Sequence, residues 1–147
     1  MKTKPMKLLY FFLIPYAVYA TSLTISGNPS PLIISRAIAG KEPSSSINTS
    51  TTYKIQVDDN QTVSIFAALD SPLPHHTILK VTLAAPPLAT RISSISLNTT
   101  PQIVVVGIPS GTYDQLAITY EYLATVAAGI VPLHNKTLLL TIVSNGS

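Results

Sequence analysis

The alternation of apolar and polar positions is most regular in residues 102–128. A continuous apolar run at 103–106 predicts a central strand that is buried on both faces. Every second residue from Leu116 to Val126 is apolar or aromatic, and this period of two predicts a strand with one buried face and one wet face. Residues 109–112, Pro-Ser-Gly-Thr, predict a tight turn between the two strands.

Shorter apolar runs, separated by Pro, Gly, Asn or Ser, fill the rest of the chain after residue 20. They predict further strands at residues 21–27, 32–38, 51–57, 61–69, 77–84, 91–97 and 137–143. Asp58, Asp59 and Asn60 predict a tight turn that joins 51–57 and 61–69 into a hairpin. Residues 41–50 are rich in Ser and predict a surface loop. The side chains predicted to face the core are Tyr53, Ile55, Val57, Val63, Ile65, Ala67, Leu69, Leu79, Val81, Leu83, Ile95 and Leu97.

No stretch after residue 20 shows a helical period, so the spacing predicts an all-β fold of about seven to nine strands. The expected architecture is an immunoglobulin-like, two-sheet antiparallel sandwich without a disulfide, and a barrel is the alternative. We expect a single domain over residues 21–147. Its first part, residues 21–40, is an N-terminal arm of two short strands. The arm either pairs within its own sheet or donates a strand to a neighbouring subunit.

The first twenty residues have the composition of a signal peptide. Three lysines precede an apolar run at 8–19, which is shorter than the roughly twenty residues of a membrane span. Val18 and Ala20 place small residues at the positions that a signal peptidase requires. The sequence therefore predicts cleavage after Ala20 and a secreted protein that is periplasmic, cell-surface or extracellular.

Removal of this leader changes the charge of the chain. The nine Lys and Arg residues exceed the six Asp and Glu residues by three, and three lysines lie in residues 1–20. The remaining chain is neutral, so it has no concentrated basic surface for nucleic acid. The chain contains no Cys, which excludes disulfides, thiolate metal sites and Cys nucleophiles.

Catalytic chemistry finds little support in the sequence. Adjacent Asp58 and Asp59 fit turn positions, with a loop calcium ligand as the alternative. His75 and His76 are the candidates for a metal site, which His134 would have to join, and an exposed loop is the alternative. The chain has no Gly-x-Ser-x-Gly elbow and no glycine-rich phosphate loop. We therefore expect a protein that is not an enzyme and binds no cofactor.

Aromatic residues and sequons remain as candidates for recognition. We expect Tyr120 and Tyr122 to pack in the core, and Tyr113 to lie where it can contact a partner. Phe66 and Tyr53 are the other aromatic residues considered for an exposed face. Five sequons predict glycosylation if the host modifies secreted proteins, four of them in predicted loops and the last in the C-terminal tail. They are Asn48, Asn60, Asn98, Asn135 and Asn145.

A signal peptide, Thr-, Ser- and Val-rich strands and a neutral cysteine-free domain together resemble bacterial secreted surface or pilin-like proteins with an immunoglobulin-like β-sandwich. The missing disulfide departs from the pattern of many of those families and puts a chaperone–usher pilin in doubt. Because no catalytic groups converge, we expect a non-catalytic structural or adhesive surface protein, and the weakly protected strand edges leave self-assembly by strand pairing open. The alternative is a periplasmic or extracellular binding module for glycans or peptides. The expected partners are a protein, a surface glycan or a second copy of the chain, without nucleic acid and without a membrane span after cleavage.

Overall fold

The computed structural model describes residues 20–36 and 38–146. The predicted signal peptide lies outside the described residues, apart from Ala20 at its end. The strands are β1 (Ser22–Ser26), β2 (Ser46–Leu69), β3 (Thr77–Leu83), β4 (Thr90–Arg91), β5 (Ile95–Ser96), β6 (Gln102–Ala124) and β7 (Leu138–Ser144). One 3-10 turn, Val126–Ala128, accompanies them. Within the described ranges there is no helix of the length and apolarity needed to cross a bilayer.

All seven strands belong to one antiparallel sheet whose centre is the pair β2 and β6. On the outer side of β2 lie β1 and then β7, and on the outer side of β6 lie β3 and β4. β5 follows outside β3. The prediction of an all-β, antiparallel, cysteine-free fold is thereby confirmed.

Both predicted tight turns are wrong, because each lies inside one continuous long strand. β2 has 24 residues and β6 has 23 residues. Val57 pairs with Gly111 and Thr62 pairs with Pro109, so residues 58–61 of β2 lie opposite Ser110 alone. Such an insertion bends a strand without reversing it. The turn-forming residues at 58–60 and 109–112 therefore make a bend in two paired strands.

Bulges in β6 explain why its apolar run is buried. Ile65 pairs with Val105 while the next residue, Phe66, pairs with Ile103, which leaves Val104 as an extra residue. A bulge of this kind places two consecutive residues opposite one, and Val104 and Val105 are both fully buried in the core. Full burial of the predicted run is confirmed for these two valines, whereas its flanking residues are half-buried.

One core cluster collects side chains from both halves of β2 and β6, and from β3. Ten of the twelve predicted core residues are buried in it, and Leu79 and Ile95 are half-buried against it. Burial of each large aliphatic side chain contributes about 1.5–3 kcal/mol. The predicted burial is therefore confirmed for these residues, although two of the predicted strand connections are wrong. Val126, which was predicted on the buried face of the last long strand, lies in the 3-10 turn after β6 and is 64% exposed.

Three further predicted elements need correction. The second strand of the N-terminal arm does not form in residues 32–36, where two prolines shortly before the segment and the lack of alternation disfavour a ladder. β1 does form, and it pairs with β2 of its own chain, with Leu23 opposite Ile55. The predicted loop at 41–50 already enters β2 at Ser46. The predicted strand at 91–97 is divided, because Ser94 has a positive φ of 53°.

Candidate functional site

One side of the sheet is a regular edge, called here the open edge. It consists of β1 (SLTIS) and β7 (LLLTIVS), which follow one another along the same side of β2. Neither strand contains a charged residue, Pro or Gly. Among the described residues, neither strand pairs with a second strand on its outer side. The open edge therefore offers unpaired backbone groups.

The direction of the free backbone groups on β7 follows from two hydrogen bonds. The N–H of Asn145 donates to the carbonyl of Thr62 at 2.8 Å, and the N–H of Asp70 donates to the carbonyl of Thr137 at 3.1 Å. Since successive residues of an antiparallel strand point their backbone groups to opposite sides, the odd-numbered residues face β2. The residues that point outward are Leu138, Leu140, Ile142 and Ser144.

The side chains of β7 also divide into two sets. Those of Leu138, Leu140 and Ile142 pack against the core. Those of Leu139, Thr141 and Val143 lie on the outer face, where Leu139 is 48% and Val143 is 42% exposed. On β2 the half-buried Phe66 lies opposite Thr141, so its ring belongs to the same outer face. An apolar strip therefore runs beside the unpaired backbone groups.

Side-chain hydrogen bonds hold both ends of β7 in place. At its start, a carboxylate oxygen of Asp70 accepts the N–H of Thr137 at 3.1 Å. This backbone hydrogen bond is the main reason why the pKa of the Asp70 carboxyl lies below its usual range. Beyond the end of β7, Ser64 Oγ donates to Asn145 Oδ1 at 3.0 Å. β7 is thus held at both ends by side-chain hydrogen bonds. Between these ends, the backbone groups of its even-numbered residues point outward.

On the side of the sheet opposite to the open edge, residues 107–116 of β6 have no partner strand among the described residues. The same side carries β4 and β5 with only two residues each, and these two strands are called here the blunted edge. Between them, Ser94 has a positive φ, and its N–H donates to Thr82 Oγ1 at 3.0 Å. The carbonyl of Ser96 accepts Gln102 Nε2 at 3.0 Å. Short strands and irregular backbone are the usual devices that prevent an edge from pairing with another chain.

The three histidines do not form a metal site. The rings of His75 and His76 lie 6.5 Å apart on an exposed turn, and His134 packs near Tyr122 with 6.2 Å between ring centroids. His134 Nδ1 lies 3.0 Å from the carbonyl oxygen of Pro132. Across the described part of the chain, no group of three His, Cys, Asp or Glu side chains could hold a metal ion.

The two acids at the bend have different surroundings. Asp58 is half-buried, and its N–H donates to Thr21 Oγ1 at 3.1 Å. Its Oδ1 atom is buried without a hydrogen-bond partner. Asp59 is exposed. The pair therefore occupies a strand bend, where the sequence predicted a hairpin turn.

The predicted aromatic candidates do not share an exposed face. Tyr113 is half-buried, and its hydroxyl lies 3.2 Å from the carbonyl of Ser110 and 3.3 Å from that of Pro109, both within its own chain. Tyr53 is buried, and its hydroxyl donates to the carbonyl of Ala84. Burial raises the pKa of the Tyr53 phenol above its ordinary range. Tyr120 is buried and Tyr122 is half-buried, as the inward alternation predicted.

The sequons are more often in strands than predicted, because Asn48 and Asn60 both lie within β2. Asn48 is half-buried, and its side-chain oxygen accepts the N–H of Ser50 at 3.0 Å. Asn98 has a similar local hydrogen bond from Thr100 at 2.7 Å. The exposed sequon residues are Asn60, Asn98, Asn135 and Asn145.

Sequence reasoning identified β7 as a strand but did not identify it as an edge. A usable signal was present, because LLLTIV contains no charge, Pro or Gly over the whole strand. Searches with the chain found no matching protein-family model and no significant similarity to a curated protein or a solved structure. The geometry of the open edge is therefore the observation from which a function is proposed.

Proposed function

We propose that the chain is a secreted, non-catalytic structural or adhesive surface protein that self-associates through its open edge. The observation that carries this proposal is β7, a regular uncharged strand with outward backbone groups and an adjacent apolar strip. Unpaired edges of this kind recruit further strands, because each new backbone hydrogen bond contributes about 0.5–1.5 kcal/mol.

We also propose that the sheet folds into two packed layers, as in an immunoglobulin-like sandwich. The first half of β2 has β1 beside it and the second half has β7, with the bend at residues 58–61 between them. Side chains from both halves nevertheless join one core cluster. Two layers that share the bent strands β2 and β6 would explain both the bend and the single core cluster.

The oligomeric state of the secreted chain tests the proposal, with light scattering after size-exclusion chromatography as the measurement. We expect concentration-dependent association of the unaltered chain. Two lysines on the outer face, Leu139→Lys with Val143→Lys, should weaken it at least about tenfold, equivalent to about 1.4 kcal/mol. The matched control is Ser96→Lys on the blunted edge, which should associate like the unaltered chain.

A monomeric unaltered chain at every accessible concentration would contradict self-association. It would favour the alternative function, a binding module for peptides, because the same outward groups of β7 can add an extended peptide as a further strand. In that case an array of extended peptides should retain the unaltered chain and release the double-lysine variant. Glycans are less well supported, since Tyr53 is buried and the Tyr113 hydroxyl contacts its own chain.

A further inference from the structure

The open edge also indicates which strand forms the contact and in which register. β7 can hydrogen-bond only through the residues that point outward, Leu138, Leu140, Ile142 and Ser144. All four are used when a second β7 lies antiparallel with Thr141 opposite Thr141. Leu140 then pairs with Ile142 of the second copy, and Leu138 pairs with Ser144.

The side chains agree with this register. On the outer face, Leu139 would lie opposite Val143 of the second copy, so the exposed apolar side chains would cover one another. The central pair would be Thr141 with Thr141, and cross-strand threonine pairs are favourable in sheets. The strand is therefore complementary to a second copy of itself.

The charged residue nearest to β7 in sequence does not oppose this arrangement. Lys136 is the nearest charged residue in sequence, and it would lie opposite Gly146 of the second copy. The two Lys136 residues would be about 34 Å apart along the strands, beyond the screening length at ordinary salt.

We propose that β7 is the self-association strand, and that it pairs antiparallel with β7 of a second copy about a two-fold axis at Thr141. This inference rests on the proposed function and adds its strand, its partner and its register. An isologous pair of this kind closes after two copies, so β7 accounts for a dimer. A larger assembly could use β1, the other strand of the open edge, which has no outer partner among the described residues.

Introduced cysteines test the register, because the chain contains no Cys of its own. Across the proposed axis, position 141 forms a non-hydrogen-bonded pair with about 4.5 Å between Cα atoms, which suits a disulfide. We expect Thr141→Cys to form a covalent dimer under mild oxidation. Neither Leu139→Cys nor Val143→Cys should crosslink alone, because identical positions would be about 14 Å apart. A mixture of these two chains should crosslink.

The mixture of Leu139→Cys and Val143→Cys chains keeps Thr141. It therefore tests the register even if Thr141→Cys lowers stability. Crosslinking of Val143→Cys with itself would overturn the antiparallel register. Thr24→Cys on β1 is the control for the other strand of the open edge. If it crosslinks and Thr141→Cys does not, self-association stands and the β7 contact is overturned. If light scattering shows only monomer and no variant crosslinks, the proposed function fails together with this inference.

Discussion

The open edge and the blunted edge belong to one sheet, but they present different backbones to the outside. β7 is seven residues long and regular, whereas β4 and β5 have two residues each. The blunted edge includes Arg91 and is interrupted at Ser94, which has a positive φ. Within the open edge, neither β1 nor β7 contains a charged residue or an interruption.

This difference shows that β4 and β5 have the features that protect an edge and that β7 lacks them. Natural sheets usually protect exposed edges, since unpaired strands recruit other chains. A hydrogen-bonded partner on β7 would remove the exposed groups without any change in the fold. The proposed function depends on this contrast between the edges.

The largest effect is expected at Ile65, which lies on β2 between the open edge and β6. It is fully buried, with Ile142 of β7 on one side and Val105 of β6 on the other. Ile65→Ala should lower the free energy of unfolding by about 3 kcal/mol, measured by urea denaturation. The control is Ile47→Ala, because the Ile47 side chain is 61% exposed. This variant should change the free energy of unfolding by less than about 0.5 kcal/mol. Equal losses in both variants would contradict the assigned core.

A pair of proline variants tests which backbone groups of β7 are free. The N–H of Val143 faces β2, so Val143→Pro should lower the free energy of unfolding by about 2 kcal/mol. The N–H of the adjacent Ser144 faces outward, so Ser144→Pro should cost less than about 0.5 kcal/mol and mainly weaken association. Urea denaturation and light scattering measure the two effects. If Ser144→Pro lowered stability more than Val143→Pro, the odd-numbered residues of β7, and not the even-numbered ones, would point their backbone groups outward.

The buried faces could be predicted from the sequence, because alternation is a local property. Tyr53, Ile55 and Val57 recur with a period of two, and all three are buried as expected. β7 was likewise predicted within about one residue of its observed bounds, 137–143 against Leu138–Ser144. Where a segment alternates without interruption, side-chain direction follows from the geometry of a single strand.

Connections and edges could not be predicted in the same way. Asp58, Asp59 and Asn60 suit a reversal and a bend equally well, since both need residues that tolerate unusual backbone angles. The choice depends on the partner strand, and β6 is distant in sequence. For the same reason the sequence did not reveal the open edge, because a strand becomes an edge only through the pairing of all the others.

An intermediate effect is expected at Tyr53, which connects β2 to the chain just after β3. Its hydroxyl donates to the carbonyl of Ala84, so Tyr53→Phe should lower the free energy of unfolding by about 1 kcal/mol at neutral pH. Burial raises the pKa of this phenol in the folded state. The neutral phenol of Tyr53 therefore contributes fully to the free energy of unfolding below the unfolded pKa of about 10. This contribution is lost as the pH rises further.

Urea denaturation between pH 7 and pH 11 measures this dependence. Stability of the unaltered chain should fall more steeply above pH 10 than that of Tyr53→Phe. Tyr113→Phe is the matched control, because it also removes a phenol while Tyr113 is only half-buried. Parallel curves for the unaltered chain and Tyr53→Phe would contradict the assignment of the buried phenol.

The smallest effect is expected at Asp70, which holds the start of β7 on the open edge. The Thr137 N–H keeps the pKa of this carboxyl below its ordinary value. The carboxylate therefore adds stability above the unfolded pKa of about 4, and this contribution disappears as the pH falls through the lower folded pKa. Asp70→Asn should lower the urea midpoint at pH 7, and the difference from the unaltered chain should shrink below about pH 4.

Asp59→Asn is the matched control for the Asp70 variant, because it removes the same charge from the exposed bend of β2. We expect its urea midpoint to stay close to that of the unaltered chain at pH 7. If the difference in urea midpoint between Asp70→Asn and the unaltered chain stayed the same below about pH 4, the packing of the Asp70 side chain, and not its carboxylate charge, would hold Thr137. A difference that closes in acid would show that β7 is attached partly through a titrating hydrogen bond. The open edge should then loosen at its Thr137 end before the core unfolds.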